Sequence, residues 1–119
     1  MFSRDINDHF VINAKINGNT ERFLFDTGAS TIVLTVDSAR AAGFDPSRLI
    51  YSIPVQTANG QTEAARIKLE RIEVGGIVRE NIEALVARRE ALNENLLGMN
   101  YLQTLRGFSV QGDQLTLTD

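Results

Sequence analysis

The sequence predicts an all-β domain whose short strands close into a barrel or pack as a sandwich. In residues 10–16 every second side chain is apolar, which is the period of a half-buried strand. Similar short stretches recur along the chain, and pairs of turn residues separate them. These pairs are Asn17-Gly18, Asn59-Gly60, Gly75-Gly76 and Gly112-Asp113. Because an Asn-Gly pair between such stretches favours a hairpin, this spacing is typical of a barrel or a sandwich.

The N-terminal part of the chain predicts a hairpin, a polar turn and a short helix. After the first turn, residues 21–25 return as a second strand that ends in an apolar run. The small and polar residues 26–30 interrupt this pattern, and residues 31–34 resume it. Thr35 is suited to cap a short helix, which Gly43 ends.

The middle of the chain predicts two more hairpins and a loop. Residues 51–57 and 61–69 form the first pair of strands, and residues 71–74 and 77–86 form the second. Residues 87–95 are charged and polar, which predicts an exposed loop. One strand is therefore expected to end at Leu69 and another to begin at Arg71.

A second short helix and a last hairpin complete the predicted fold. Asn100 is suited to cap this helix, because Gln103 follows it at the spacing of a capping box. Gly107 is expected to end the helix. Residues 108–110 and 115–117 then predict the final pair of strands.

The composition fits one domain over residues 1–119 and argues against several function classes. The net charge is −3 with both signs interspersed, and aromatic residues make up 7%, so no nucleic acid partner is expected. With no Cys and one His, no metal site is expected, nor any cofactor. No apolar run approaches the ~20 residues that span a bilayer. No signal peptide is visible, so any targeting or anchor segment is expected to lie outside this chain.

The chemistry of the sequence centres on Asp26, which follows three apolar residues and precedes Thr-Gly-Ala-Ser. A carboxylate directly after a buried strand is costly unless it accepts hydrogen bonds. Gly28 has no Cβ, so backbone N–H groups can approach the carboxylate, and Thr27 and Ser30 add hydroxyl donors. The pattern predicts a carboxylate in fixed geometry. For a bare Asp-Thr-Gly the alternative is a turn aspartate that binds its own backbone.

Three ordered motifs resemble those of the retropepsin-like aspartic proteases. Residues 23–30, Phe-Leu-Phe-Asp-Thr-Gly-Ala-Ser, resemble the active-site motif, and residues 96–102 resemble the second signature. Residues 57–60 stand where the family carries the tip of its flap, a hairpin over the active site. By this resemblance Asp26 is catalytic. The resemblance further assigns Thr27, Gly28, Ala29 and Ser30 to active-site support, Ala58, Asn59 and Gly60 to the flap tip, and Leu96, Leu97 and Gly98 to the second signature.

The resemblance also implies a homodimer. The family mechanism needs two carboxylates, and this chain has one Asp-Thr-Gly. The other aspartates all lack a following Thr-Gly or Ser-Gly; they are Asp5, Asp8, Asp37, Asp45, Asp113 and Asp119. The second carboxylate is therefore expected from Asp26 of a second copy across a twofold axis. In the family, Thr27 would bond across this dimer, and residues near 1–8 and 108–118 would build a shared sheet.

The expected architecture is thus a retropepsin-like closed β-barrel with a flap over about residues 51–69 and one or two short helices. Met99 stands where retroviral enzymes often carry Arg, which implies a dimer interface that differs in detail. The similarity is to bacterial members, which are often membrane-anchored with the protease domain outside the cytoplasm. A periplasmic or membrane-associated location is the corresponding expectation, with the anchor outside this chain.

Two function classes follow from these observations. The first is an aspartic endopeptidase that hydrolyses peptide or protein substrates as a homodimer. The second is a retropepsin-like dimerisation or peptide-binding domain with little or no cleavage. A third alternative is an unrelated β-barrel binding module with a chance motif. Residues 88–90, Arg-Arg-Glu, predict a solvated loop, with a processing or docking site as the alternative. Tyr51 and Tyr101 are expected to pack rather than to react.

Overall fold

A computed structural model describes residues 2–3, 10–57, 60–89 and 91–119. Over these residues the chain forms ten β-strands and two short α-helices, neither of which is long and apolar enough to cross a bilayer. The strands are β1 (Phe2–Ser3), β2 (Val11–Ile16), β3 (Asn19–Phe25), β4 (Ile32–Leu34), β5 (Tyr51–Thr57), β6 (Gly60–Val74), β7 (Ile77–Ala87), β8 (Asn95–Leu97), β9 (Gly107–Gln111) and β10 (Gln114–Thr118). The helices are α1 (Val36–Ala41) and α2 (Met99–Leu102), and a 3₁₀ turn covers Pro46–Arg48.

Six of the strands close into a barrel. Their order is β2-β3-β8-β4-β7-β6, and the pairing of β6 with β2 closes the ring. Most neighbours are antiparallel, but β3 pairs with β8 and β4 pairs with β7 in parallel. β5 pairs with the first part of β6 and extends this hairpin from the barrel. The prediction of an all-β closed barrel with short helices is confirmed.

The barrel core follows from the alternation seen in the sequence. In β2 the side chains of Ile12, Ala14 and Ile16 point inward and are buried, while Asn13 and Lys15 are exposed. Burying apolar surface stabilises the fold by about 25 cal/mol per Å². The turn after β2 places Asn17 in the left-handed region at φ +50°, as the Asn-Gly signal predicts.

A second, three-stranded sheet joins the two ends of the chain in the order β1-β10-β9. Leu115 of β10 is fully buried. On β9, by contrast, Phe108 and Val110 remain 37% and 44% exposed. This sheet therefore anchors to the barrel through β10 and presents apolar side chains to its surroundings through β9.

The prediction of two strands on either side of residue 70 is wrong, because β6 runs without a break for 15 residues. Glu70 and Arg71 are both exposed, so the alternation changes phase there. Asn81 lies opposite this point with φ +53°, and the pairing resumes at Arg71 with Glu80 in the same register. The local distortion of β7 at Asn81 accommodates the two consecutive exposed residues of β6, so Glu70 and Arg71 do not end β6.

The prediction of an exposed loop over residues 87–95 is also wrong at its ends. Ala87 and Asn95 are buried, and Leu92 is half-buried against the barrel. The Asn95 amide donates to the Arg22 carbonyl and the Ser38 hydroxyl, each at 2.8 Å, and its oxygen accepts from the Thr35 N–H at 2.9 Å. A buried Asn with three partners acts as a polar crosslink between β3, β8 and α1.

The two helices differ in how well the sequence predicts their caps. The Thr35 hydroxyl accepts a hydrogen bond from the Ser38 N–H at 3.2 Å, as predicted. The predicted cap of α2 by Asn100 is wrong, because the N-cap is Gly98 and no side chain caps the helix. The helix ends at Leu102 and Gly107 begins β9, so the predicted end is wrong as well.

Tyr101 is a packing residue, as the sequence predicts. Its ring is fully buried and its hydroxyl donates to the Ile77 carbonyl at 3.2 Å. Burial raises the pKa of Tyr101 to about 12 from the ordinary 10.0. Because the folded state favours the neutral phenol, this contribution to stability is complete below pH 10 and is lost as the pH rises towards 12.

Tyr101→Phe protein is therefore expected to lose less stability than wild type between pH 10 and pH 12. The measurement is the free energy of unfolding in urea at both pH values, at one protein concentration. The absorbance of tyrosinate gives an independent reading, because the variant should lack the titration near pH 12. The same loss of stability in both proteins would contradict the assignment.

Candidate active site

Asp26 lies where β3 leaves the barrel. β3 and β8 run in parallel, with Phe25 opposite Leu97. The N–H of Asp26 donates to the Leu97 carbonyl at 3.2 Å, which continues the pairing by one residue. The carboxylate is therefore fixed to the end of a barrel strand, and the end of β8 lies directly beside it.

The turn after Asp26 orients the carboxylate. The Gly28 N–H donates to Asp26 Oδ1 at 2.9 Å, and the Ala29 N–H donates to the Asp26 carbonyl at 3.2 Å. A Cβ on residue 28 would lie 3.1 Å from Oδ1, so glycine leaves room for this bond. Asp26 is half-buried, while Thr27 and Gly28 are exposed. One carboxylate oxygen is thus bound by the backbone.

The two sequence signatures meet at this turn. The Met99 N–H donates to the Ala29 carbonyl at 2.8 Å, and the Asn100 N–H donates to the Ser30 carbonyl at 3.1 Å. Gly98, which precedes Met99, is buried against the turn. Its Cα approaches the Thr31 carbonyl so closely that no side chain fits. The second signature therefore acts as the support on which the Asp26 turn rests.

Asn100 completes this support, although the sequence predicts it only as a helix cap. Its side-chain oxygen accepts from the Ile32 N–H at 2.9 Å, and its amide donates to the Glu83 carbonyl at 2.6 Å. It thereby connects α2 with β4 and β7. A polar residue inside the otherwise largely apolar second signature is the one sequence signal that points to such a role.

A groove of about 320 Å³ opens beside Asp26. The turn residues Asp26, Gly28, Ala29, Ser30 and Thr31 form one side of it. The remaining lining residues come from the barrel, β5 and the 88–94 segment, and they are Val33, Pro54, Val55, Gln56, Leu85, Leu92 and Leu96. A carboxylate at the edge of a groove with an apolar wall can act on a ligand whose apolar side chain contacts that wall.

The predicted site residues fall into three groups. Asp26, Gly28, Ala29, Ser30 and Leu96 line the groove, whereas Leu97 and Gly98 lie buried beneath the turn. Gly60 begins β6 with φ +109°, and the predicted flap-tip residues Ala58 and Asn59 lie outside the described residues.

Three apolar residues that line the groove are not predicted as site residues from the sequence. Val33, Leu85 and Leu92 belong to a small apolar cluster apart from the main core. Leu92 lies in a segment whose charged neighbours suggest an exposed loop. The available sequence signal for this role is the presence of an apolar residue in an otherwise charged and polar segment.

The chain matches known proteins over most of its length. Residues 12–104 match the family described as gag-polyprotein putative aspartyl protease. The chain is 42% identical over 114 residues to an uncharacterized protein in the cobV 5' region of Sinorhizobium sp, covering 96% of this chain and 49% of that protein. It is 38% identical over 117 residues to the uncharacterized protein RP867 of Rickettsia prowazekii (strain Madrid E), covering 98% and 50%. It thus spans about half the length of these curated relatives.

Solved structures support the same conclusion. The crystal structure of a retropepsin-like aspartic protease from Rickettsia conorii superposes with a TM-score of 0.88 at 39% identity, over 98% of this chain and 86% of that one. The EIAV protease, complexed with the inhibitor HBY-793, has a TM-score of 0.71 at 23% identity, over 92% and 99%, which shows the fold alone. The chain therefore belongs to the gag-polyprotein putative aspartyl protease family and has the closed-barrel fold of the retropepsin-like aspartic proteases.

Proposed function

We propose that this chain is one subunit of a homodimeric aspartic endopeptidase with Asp26 as its catalytic residue. The observation that carries the proposal is the Asp26 carboxylate, which accepts from the Gly28 N–H at 2.9 Å at the edge of a groove with an apolar wall. This arrangement orients the carboxylate and leaves space for a peptide side chain next to it. Membership of an aspartic protease family supports the same chemistry.

The reaction needs two Asp26 carboxylates. Two facing carboxylates share one proton, because their charges repel when both ionise. The ionised carboxylate takes a proton from a water molecule, and the protonated one donates to the carbonyl oxygen of the peptide bond. The water oxygen attacks the carbonyl carbon directly and forms a tetrahedral diol. The newly protonated carboxyl group then donates its proton to the amide nitrogen while the other carboxylate takes a proton from a diol hydroxyl, so that the C–N bond breaks, the amine leaves and the pair again shares one proton. A single chain contributes one of these carboxylates, so the proposed site is completed by a second copy of the chain.

The terminal sheet is the proposed interface between the two copies. Phe108 and Val110 on β9 are apolar and exposed, which is the composition expected of a surface covered by a partner. The Phe108 ring packs edge-on against Phe25, with the ring centroids 5.4 Å apart. Since Phe25 directly precedes Asp26, the proposed interface and the proposed catalytic turn share a contact.

The β5–β6 hairpin is the proposed flap. Its strand β5 contributes Pro54, Val55 and Gln56 to one wall of the groove. A peptide in the groove would lie between this strand and the Asp26 turn, and the hairpin would exclude water from the reacting bond. The proposal includes two further roles. The tip of the flap is formed by Ala58, Asn59 and Gly60, and Thr27 bonds across the dimer.

Cleavage of a mixed peptide library tests the proposed function. We expect peptide fragments to form, and we expect a statine-type inhibitor to suppress their formation, because such an inhibitor mimics the tetrahedral transition state. A protein that binds peptides without releasing fragments would favour the alternative of a dimerisation or peptide-binding domain.

Val110→Asp protein is expected to dimerise at least about tenfold more weakly than wild type, because the substitution places two charges in an apolar interface. Activity per mole of protein should fall at low concentration and recover at high concentration. Sedimentation over a concentration series measures the monomer–dimer equilibrium. Ile50→Asp is the matched control, since Ile50 is 79% exposed and lies outside the terminal sheet. Equal dissociation constants for both variants would contradict the proposed interface.

A further inference from the structure

We propose that a basic depression beside the active-site groove binds an acidic side chain of the peptide substrate. The basic depression is lined by Arg40, Arg88 and Arg89 together with Val36. This inference rests on the proposed function, because it names a further contact of the same substrate. It also assigns a role to the arginine pair at residues 88–89, which the catalytic site does not use.

The basic depression adjoins the groove at Leu92. It consists of two neighbouring concavities of about 290 and 210 Å³, both lined by Val36, Arg88 and Arg89. The smaller concavity also includes Leu92, which lines the groove beside Asp26. A peptide that occupies the groove and passes over Leu92 therefore enters the basic depression with its next residues.

The charges around the basic depression favour an anion. Among the described residues that line it, three are arginines and one, Asp37, is acidic. Asp37 lies between two of them, with Oδ1 3.3 Å from Arg40 Nη1 and 3.8 Å from Arg89 Nη1. One carboxylate thus faces two guanidinium groups. Glu63 adds a second carboxylate next to Arg88, so three arginines face two carboxylates. Because the whole chain carries a net charge of −3, this local excess of positive charge is opposite in sign to the net charge of the molecule.

Arg88 is oriented by its surroundings. Its guanidinium carbon lies 5.0 Å from the centroid of the Tyr51 ring, and its Nε lies 3.4 Å from Glu63 Oε1. Arginine presents five N–H donors in a planar fork, so a guanidinium that stacks on a ring still has donors for a carboxylate. The Arg88 side chain is therefore positioned before a substrate arrives.

Arg89 is the arginine that a substrate can recruit most easily. Its side chain is 61% exposed, and that of its partner Asp37 is 80% exposed. Exposed ion pairs at such distances contribute little stability, so exchange of Asp37 for a substrate carboxylate costs little. The substrate that fits both features has an apolar residue in the groove and a Glu or Asp close to it in sequence.

The test measures peptide binding to Asp26→Asn protein, so that it does not depend on cleavage. The probes are decapeptides with Leu and Phe at the two central positions and one Glu, or its neutral isostere Gln, moved through the other positions. At low ionic strength we expect Glu to lower the Kd about fivefold relative to Gln at one or two adjacent positions. High salt should remove the difference because it screens exposed charges.

Charge-changing variants then locate the effect. The Arg88→Gln/Arg89→Gln double variant is expected to bind Glu and Gln peptides equally, and Arg88→Glu/Arg89→Glu to favour Lys at the same position. Arg66→Gln is the matched control, because Arg66 forms an exposed ion pair with Glu83 at 3.4 Å and does not line the basic depression. In wild type the Glu preference should appear in KM with kcat unchanged, as expected of a contact away from the reacting bond.

The outcomes separate this inference from the proposed function. The inference is overturned if Glu and Gln peptides bind with equal Kd values at every position, or if neither peptide binds, even if wild type cleaves peptides. A Glu preference that survives in the double variant also overturns it. A Glu preference without any cleavage by wild type supports the basic depression and contradicts the endopeptidase.

Discussion

Asp26→Asn is expected to lower kcat/KM for peptide cleavage by about 10³-fold or more, because proton transfer by a positioned side chain contributes on this order. The asparagine oxygen can still accept from the Gly28 N–H, so the turn should keep its shape. The amide cannot take a proton from water at either copy of the site. Quantifying the fragments of one peptide by chromatography measures the effect, and circular dichroism checks that the fold is retained.

Glu80→Gln provides the control for this substitution. It removes one negative charge from an exposed position on β7, away from the groove lining. We expect kcat/KM within a factor of two of wild type, since nothing in the proposed reaction uses this side chain. Equal cleavage by wild type and Asp26→Asn protein would remove Asp26 from the mechanism, and would point to a contaminating protease or to another residue.

The substitution with the largest expected effect on stability is Gly98→Ala. An added Cβ would lie 2.5 Å from the carbonyl carbon of Thr31, closer still to its oxygen, and 2.9 Å from the Ala29 carbonyl oxygen. These are backbone atoms in the turn that carries Asp26, so they cannot move aside as a flexible side chain would. We expect the free energy of unfolding to fall by about 3 kcal/mol or more, the upper range for overpacked sites.

Gly107→Ala is the matched control for Gly98→Ala. A Cβ at residue 107 would meet no atom within 4 Å, and the backbone there does not have a positive φ. The change in unfolding free energy should be within about 0.5 kcal/mol. Urea denaturation of all three proteins at one protein concentration makes the comparison, because dimerisation couples stability to concentration. Equal stability of the two variants would show that the turn can shift without cost.

The parts of the fold that the sequence predicts are those set by local rules. Asn17-Gly18 forms the predicted hairpin turn because its backbone adopts positive φ at both residues. The Thr35 hydroxyl caps α1 because an N-cap depends on residues within one turn. The alternation of β2 predicts its buried face for the same reason. Asp26 itself stands out only through motifs that resemble a known family.

The parts that the sequence does not predict depend on contacts between distant segments. Asn100 looks like a helix cap, but its side chain bonds to Ile32, 68 residues away. Asn95 looks like a loop residue until the parallel pairing of β3 and β8 buries it beside Arg22. Leu92 becomes part of a wall of the groove only when it packs against Val33 of β4 and Leu85 of β7. Local patterns carry no information about such pairings.

The unbroken strand β6 has a mechanical consequence for the groove. Residues 64–74 of β6 pair with β7 inside the barrel. In the part of the chain that the structure describes, residues 60–63 of β6 pair with β5 only. β5, which supplies Pro54, Val55 and Gln56 to one wall of the groove, is therefore attached to a strand that continues into the barrel without a break. Widening the groove would move β5 and bend β6, to which β5 is paired. The force that resists this bending depends on how firmly the barrel holds residues 64–74 of β6. If the groove binds peptides as proposed, we expect its resistance to opening to depend partly on packing around Leu69 and Ile72, which lie inside the barrel and not in the groove.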